Sequence, residues 1–252
     1  MSELNNPQSK PKLKETEQGK WGLVVDQDLC TGCQACVVAC AMENNIPFVG
    51  EEDAAYGRAM HWIRIERFWE GEYLEVKSTP FQPVMCQQCG AAPCEPVCPV
   101  FASVHSESEQ VNSQVYNRCV GTRYCANNCP YVARTFNWRD YTRPEPLNNQ
   151  LNPDVTVRRR GVMEKCTFCI QRIRKVEDKA KSEVREVADG EVQPACVQAC
   201  PANALIFGRV DDPESNVSRA SFSGRAVELL EELGTKPRVT YLKGGSEYAR
   251  NA

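Results

Sequence analysis

Residues 30–40 read Cys30-Thr-Gly-Cys33-Gln-Ala-Cys36-Val-Val-Ala-Cys40, a C-x₂-C-x₂-C-x₃-C run. Three thiols at spacing three can grip one polynuclear metal cluster from a single tight loop. The fourth lies about one helical turn further on, so it points away toward a different object.

Working outward, three more runs appear. The second is Cys86, Cys89, Cys94 and Cys98, followed by Pro99, with two extra residues in its middle spacing. The third is Cys119, Cys125 and Cys129, followed by Pro130. The fourth is Cys166, Cys169, Cys196 and Cys200, followed by Pro201, with a long polar insertion between Cys169 and Cys196. These runs hold all 15 cysteines. Laid over the first run, the third matches at every ligand position but one, where Thr122 replaces cysteine. Gly32 and Gly121 also coincide, as a tight loop with positive φ requires.

Three chemistries compete for so many thiols. A disulfide framework favours short secreted chains and an even count, and cysteines three apart are poorly placed to bridge each other. Structural zinc uses two C-x₂-C pairs per ion and has no need of the longer run. Iron–sulfur clusters account for every spacing. In a bacterial two-cluster ferredoxin each cluster takes three thiolates from one run and one from the other. Four runs therefore make two such modules. Fifteen thiols supply three [4Fe–4S] clusters and one [3Fe–4S] cluster, the latter where Thr122 stands in a ligand position. Spacing alone leaves open which runs pair.

Other features narrow the function. A net charge of −3 argues against a general nucleic-acid binder. No stretch has the roughly 18 apolar residues of a membrane span. Residues 1–20 are polar, with no apolar secretory core and no twin arginine, so export through the chain's own signal is not expected. Export beside a signal-bearing partner stays open. No Gly-rich phosphate loop occurs. His61 and His105 have no ligand-spaced neighbours and read as structural. Arg158-Arg159-Arg160 reads as a solvated face. Arg118, Arg123, Arg134, Lys165, Arg172 and Arg174 lie near the runs, where cations offset the negative charge of the clusters.

The fold class is α+β, with short β-hairpins and cluster-binding loops. Leu23–Val25 is a predicted strand. His61–Arg67 and Tyr73–Lys77 form an expected hairpin about Glu70-Gly71, and Ser103–His105 with Val111–Val115 a second. Arg134–Trp138 and Ala204–Phe207 suit short strands, and the stretches between ligands suit single helical turns. The Asn/Pro-rich segment from Asp140 to Arg160 reads as a surface loop. Ser218–Leu233 reads as a helix stopped by Gly234, since Val227, Leu230 and Leu233 recur at spacing three. Val239–Leu242 reads as a final strand.

The motifs CTGCQACVVAC, CQQCGAAPCEPVCP, NRCVGTRYCANNCPY, EKCTFC and PACVQACPANAL resemble the iron–sulfur subunits of complex iron–sulfur molybdoenzymes, such as polysulfide and dimethyl sulfoxide reductases. RCVGTRYCANNCPY, with Thr at the missing ligand, looks most like the iron–sulfur subunit or domain of alternative complex III and related quinone reductase complexes. The match covers roughly Trp21 to Gly208. It implies that the first run pairs with the fourth and the second with the third, one dicluster ferredoxin module nested in the other. One [4Fe–4S] cluster then takes Cys30, Cys33, Cys36 and Cys200, and its neighbour Cys166, Cys169, Cys196 and Cys40. A third takes Cys86, Cys89, Cys94 and Cys129. The [3Fe–4S] cluster takes Cys119, Cys125 and Cys98.

The implied organisation is a tail at 1–20, an outer module of 21–85 with 160–210, an inner module of 86–139, a loop at 140–159, and a C-terminal helix and tail at 211–252. The implied role is a non-catalytic electron relay. Its partners are a quinone-reactive integral membrane subunit, a large molybdopterin-oxidoreductase-like subunit and, in the alternative complex III branch, cytochrome c subunits. The chain then sits peripherally on a bacterial membrane complex, on the periplasmic side with a co-exported partner in preference to the cytoplasmic side. One departure is that Ala41, not proline, follows Cys40. The rival readings are the subunit of a true molybdoenzyme, a diffusing polyferredoxin, an enzyme with an open iron site at Thr122, and a zinc-stapled module.

Overall fold

The strand Trp21–Asp26 (β1) is buried along its whole length, the signature of a strand covered on both faces. It is central in a four-stranded sheet in a computed structural model that describes residues 21–72, 75–106 and 111–243. The expected tail at 1–20, Tyr73 at the head of an expected strand, and the tail from 244 onward lie outside the described residues. In chain order the remaining elements are the helices Ala35–Glu43 (α1) and Glu51–Ala55 (α2), then the strands Ile63–Arg67 (β2), Glu70–Glu72 (β3), Glu75–Ser78 (β4) and Phe81–Met85 (β5). Next come Ser103–His105 (β6), Asn112–Gln114 (β7), Tyr124–Asn127 (α3), Thr135–Phe136 (β8) and Met163–Glu164 (β9). The C-terminal third holds Ile170–Ser182 (α4), Ala195–Gln198 (α5), Leu205–Arg209 (β10), Asn216–Ser221 (α6), Ala226–Glu228 (β11) and Val239–Leu242 (β12).

The central sheet has the order β10-β1-β12-β11, with β1 antiparallel to β10 and parallel to β12. Alternation sends Trp21, Leu23 and Val25 to one face and Val24 to the other. On the first face the ring of Trp21 stacks on Phe207 at 5.4 Å between centroids, and Phe207 meets Phe168 edge-on at 5.3 Å. On the second face Val24 packs with Val217 of α6 and Leu242 of β12. Ser215 caps α6, its hydroxyl accepting from the Ser218 amide at 3.1 Å.

Three expectations need correction. The helix expected over Ser218–Leu233 is instead α6, a Ser223-Gly224 turn and β11. Spacing-three apolar residues do not make a helix where a strand edge is available: Val227 pairs with Tyr241 in the sheet. The strand at His61–Arg67 does not pair with the one near Lys77. β2 pairs with β5, whose Val84 and Met85 are buried, whereas all of β4 is exposed and forms its own small hairpin with β3. Pro83 is tolerated in β5 because a two-stranded ribbon has only edges. The insertion between Cys169 and Cys196 contains α4, which buries Ile173, Glu177 and Ala180 at helical spacing.

The third correction concerns Arg158, which is not part of a solvated face. Its side chain is 1% exposed and forms an ion pair with Glu164, 0% exposed, at 2.8 Å. Glu164 also accepts from the Asn137 amide at 3.0 Å and from the Trp62 indole at 3.3 Å. The guanidinium lies 5.0 Å from the Trp62 ring centroid.

The segment 140–160 carries only a 3₁₀ turn at Leu147–Gln150, as a loop should. It is not idle, because it caps the C-terminus of α1. Arg158 donates to Asn44 O at 2.7 Å, Asn152 to Glu43 O at 2.9 Å, and Asn45 binds back to Asn152 O and Val155 O. Proline follows the last cysteine of each of the other runs, and α3 and α5 stop after 4 residues. Ala41 lets α1 run for 9 residues, leaving end carbonyls that the loop then satisfies.

Glu164→Ala would strand the buried Arg158 charge and is expected to cost about 3–5 kcal/mol in denaturant titrations of the holoprotein. Arg160→Ala, at an exposed position, is expected to change stability by under about 0.5 kcal/mol.

Candidate metal centres

The pairing of β1 with β10 positions the first site. Val25 lies opposite Leu205, and the Asp26 amide donates to Ala204 O at 2.8 Å, so the loop that follows β1 and the loop that precedes β10 meet at one end of the sheet. The residues brought together there are Cys30, Cys33, Cys36 and Cys200, which line one cavity with Ile65 and Pro83. Gly32, at φ +69°, leaves no room for a side chain, since a Cβ would lie 2.5 Å from the Phe81 ring.

A second cavity is lined by Cys40, Cys166, Cys169 and Cys196, with Leu23, Ile63 and Met85 closing it from the core. The fourth cysteine of the first run has thus crossed to the neighbouring site, and Cys200 has crossed back. Asn44, on the turn after α1, spans the two runs: its amide lies 3.6 Å from Cys40 Sγ and 3.8 Å from Cys169 Sγ.

The third group forms around Cys86 and Cys89, with Cys129 and Tyr131 packed on them. Cys94 acts on Cys89 and itself packs with Cys125 and Met163, where the third and fourth groups meet. In the fourth, Cys119 and Cys125 pack with Met163, whose amide donates to Cys119 Sγ at 3.3 Å. Cys98 lies within reach of the Arg134 charge, as do Cys94 and Cys125. Backbone geometry repeats as the runs do. Gly121 has φ +75° where Gly32 has +69°, and Gln34 and Arg123, at matched positions, are both left-handed at 63° before their helices. Thr122 is exposed, as is its counterpart Cys33.

The groups are strung in a row. Cys196 of the second interacts with Cys36 of the first, Cys166 of the second with Cys86 of the third, and Cys125 of the fourth with Cys94 of the third.

The electrostatics show what these cavities fit. Burial pushes Cys36 up to about 11 and Cys89 and Cys166 up to about 12, with neighbouring thiols adding to the rise. Cys40 is driven well above its ordinary value by burial and then by Cys166, Cys169 and Cys196. At Cys98 burial also raises, but the amides of Val100, Ser103 and Ala102 and the charge of Arg134 outweigh it and the net shift is downward. Thiols that resist ionisation alone yet surround a common cavity fit a group that brings its own positive charge. All fifteen are free of disulfides. Among the described residues no three His, Cys, Asp or Glu side chains converge on a point for a single ion. The thiols ring volumes instead, which suits iron–sulfur clusters and not the tight tetrahedron of zinc.

Some contributors carry no sequence signal. Asn44 is an ordinary asparagine until α1 brings it against Cys169. The Thr235 hydroxyl, from far down the chain, acts on Cys89 and bonds the Tyr131 hydroxyl at 2.5 Å. Among the cations, Arg134, Lys165 and Arg172 do contact cluster-site groups: Arg134 Nη2 lies 2.9 Å from Cys94 Sγ, Lys165 is fully buried on Cys166 O, and Arg172 acts on Cys169 while bound to Glu43. Arg123 lies instead over Phe136 and Trp138. His105 binds Glu95 at 2.7 Å, a structural role.

The model of the 4Fe-4S dicluster domain matches residues 29–102 and 118–204. Each stretch contains two cysteine runs contiguous in sequence, whereas the packing groups first with fourth and second with third. The chain is 45% identical over 227 residues to the menaquinone reductase iron-sulfur cluster-binding subunit of Nitratidesulfovibrio vulgaris, covering 88% of each. It is 37% identical to an iron-sulfur subunit of a putative dimethyl sulfoxide reductase of Halobacterium salinarum, covering 89% of this chain and 79% of that one. A component of the polysulfide reductase of Wolinella succinogenes is 34% identical, with 90% and 98% covered. The chain therefore belongs to the 4Fe-4S dicluster family, in company with the iron–sulfur subunits of several reductases.

Proposed function

We propose that this chain is the electron-transfer subunit of a respiratory reductase complex, relaying electrons between a quinone-reactive membrane subunit and a large catalytic partner of the molybdopterin-oxidoreductase type. The observation that carries this reading is the succession of four thiol groups, with Cys166 packed against the Cys86 and Cys89 cluster and Cys94 packed with Cys125. Iron–sulfur clusters supply one-electron redox chemistry when bound, and a row of them suits hopping from end to end. The protein's own part is to hold them in order, bury them and set their surroundings. The names of the relatives, which are components of menaquinone, dimethyl sulfoxide and polysulfide reductases, favour a reductase complex of this kind over the alternative complex III branch. Among the described residues no helix is long and apolar enough to cross a membrane, so attachment falls to the partner subunits.

In this reading the ligand sets are Cys30, Cys33, Cys36 and Cys200; Cys40, Cys166, Cys169 and Cys196; Cys86, Cys89, Cys94 and Cys129; and Cys98, Cys119 and Cys125. The last set is short of one thiolate. Thr122 occupies the missing corner, and a neutral hydroxyl is a far poorer iron ligand than a thiolate. Its exposure supports a corner open to solvent, from which iron is readily lost.

Three outcomes test the proposal. Anaerobically purified holoprotein is expected to hold about fifteen irons, and a value near eight would defeat the four-cluster assignment. Cys40→Ala is expected to damage the cluster on Cys166, Cys169 and Cys196 while sparing the one on Cys30, Cys33 and Cys36, and Cys200→Ala the reverse, as read by EPR of the reduced protein. In the oxidised wild type a [3Fe–4S] cluster gives a paramagnetic signal of about one spin per chain, whereas oxidised [4Fe–4S] clusters are silent. Thr122→Cys is expected to abolish that signal and raise the iron content by about one atom.

A further inference from the structure

Arg134 follows the third run, and only 6% of the residue is exposed. Its Nη2 donates to Cys94 Sγ at 2.9 Å, Ser103 Oγ at 2.6 Å and Asn112 Oδ1 at 3.1 Å, and Nη1 donates to Gln114 Oε1 at 2.9 Å. Apart from the thiol these partners are neutral. Among the described residues no carboxylate lies within ion-pair distance of it. A guanidinium buried in this way costs several kcal/mol unless some negative charge balances it. Its charge reaches Cys86, Cys94 and Cys129 of the third set and Cys98 and Cys125 of the fourth, and it bonds Cys94 and Cys125.

The outer half of the molecule is built differently. The side chain that bridges Cys40 and Cys169 is the neutral amide of Asn44. The nearby cation, Arg172, is already neutralised by Glu43 at 2.6 Å. The inner pair of sites thus shares a buried guanidinium with no protein counter-ion among the described residues, whereas in the outer half Arg172 is cancelled and the buried Lys165, bonded to Cys166 O, acts on the second site.

We propose that Arg134 is a positioning residue that raises the reduction potentials of the two inner clusters together, making that end of the row the place where electrons rest. This rests on the cluster assignment given under the proposed function. Each reduction adds one negative charge beside a fixed positive one in a poorly solvated interior, so the reduced state gains more than the oxidised state. Ser103, Asn112 and Gln114, all on the β6–β7 hairpin, hold the guanidinium between the two sites without discharging it. The hairpin therefore serves the clusters although it contributes no ligand.

The test is a redox titration followed by EPR on the purified holoprotein complex. Gln114→Glu keeps a hydrogen-bond acceptor against Nη1 but adds a carboxylate that cancels the charge. It is expected to lower the midpoint of the three-iron centre and of one four-iron centre, leaving the other two in place. Arg134→Met is expected to lower the same two centres, and Arg134→Lys to restore most of the shift. Unchanged midpoints in Gln114→Glu, or a shift of all four centres together, would overturn the proposal. So would loss of iron from Gln114→Glu, since a purely structural clamp would behave that way. A wild type lacking the three-iron signal or holding about eight irons would instead bring down the cluster assignment itself.

Discussion

Buried sulphur facing buried sulphur is the arrangement on which this structure depends. Burial raises thiols such as Cys36, Cys40, Cys89 and Cys166, and their neighbours raise them further, so these groups do not ionise against protein partners. They become stable as thiolates when something positive occupies the space they share. That requirement reaches along the whole chain, because each site draws on cysteines that are distant in sequence. Cys200 closes the site begun at Cys30, and Cys129 the site begun at Cys86. The bound group is then a cross-link between distant segments, and the small hydrophobic clusters around it have less to hold alone.

The regular elements act as scaffolding for that convergence. β1 and β10 bring the first and last runs to one end of a sheet whose two faces are filled by Trp21, Phe207 and Val24. The short hairpins and one-turn helices aim individual sulphurs. Where proline is missing after Cys40, the longer α1 reaches Asn44, whose amide then bridges two sulphurs. The loop at 140–160 completes that helix by bonding its last carbonyls, and Arg158 within it joins Glu164 beneath Trp62. One substitution in a motif is thus answered by a loop more than a hundred residues away in sequence.

The two halves differ in charge although they repeat in sequence. Within the second site a neutral amide joins Cys40 to Cys169, whereas the inner sites share a guanidinium. A relay made from duplicated modules acquires direction only if its members differ in potential, and side chains outside the repeats can supply that difference. Lys165, fully buried and bonded to the carbonyls of Asn112 and Cys166, adds a second positive charge where the halves meet.

The cysteine spacing was enough to point to cluster-binding loops, their internal repetition and the odd position at Thr122, and the short apolar runs between the cysteines added the α+β class. Ligand spacing is a local property, and each loop must fold the same way around the same object. The centre of β1, the β6–β7 hairpin and β12 were legible for a similar reason, since their apolar runs and turn residues sit within a few positions of each other. The sequence did not reveal that Val227 would join a sheet and not a helix, that β2 would choose β5, or that Arg158 would be buried. Those outcomes turn on which distant surface is available to cover an apolar or charged side chain, and an edge strand or a buried carboxylate exists only once the chain has closed. The same holds for Asn44, Thr235 and Arg134. Their residue types are common, and only tertiary contact brings each one against sulphur.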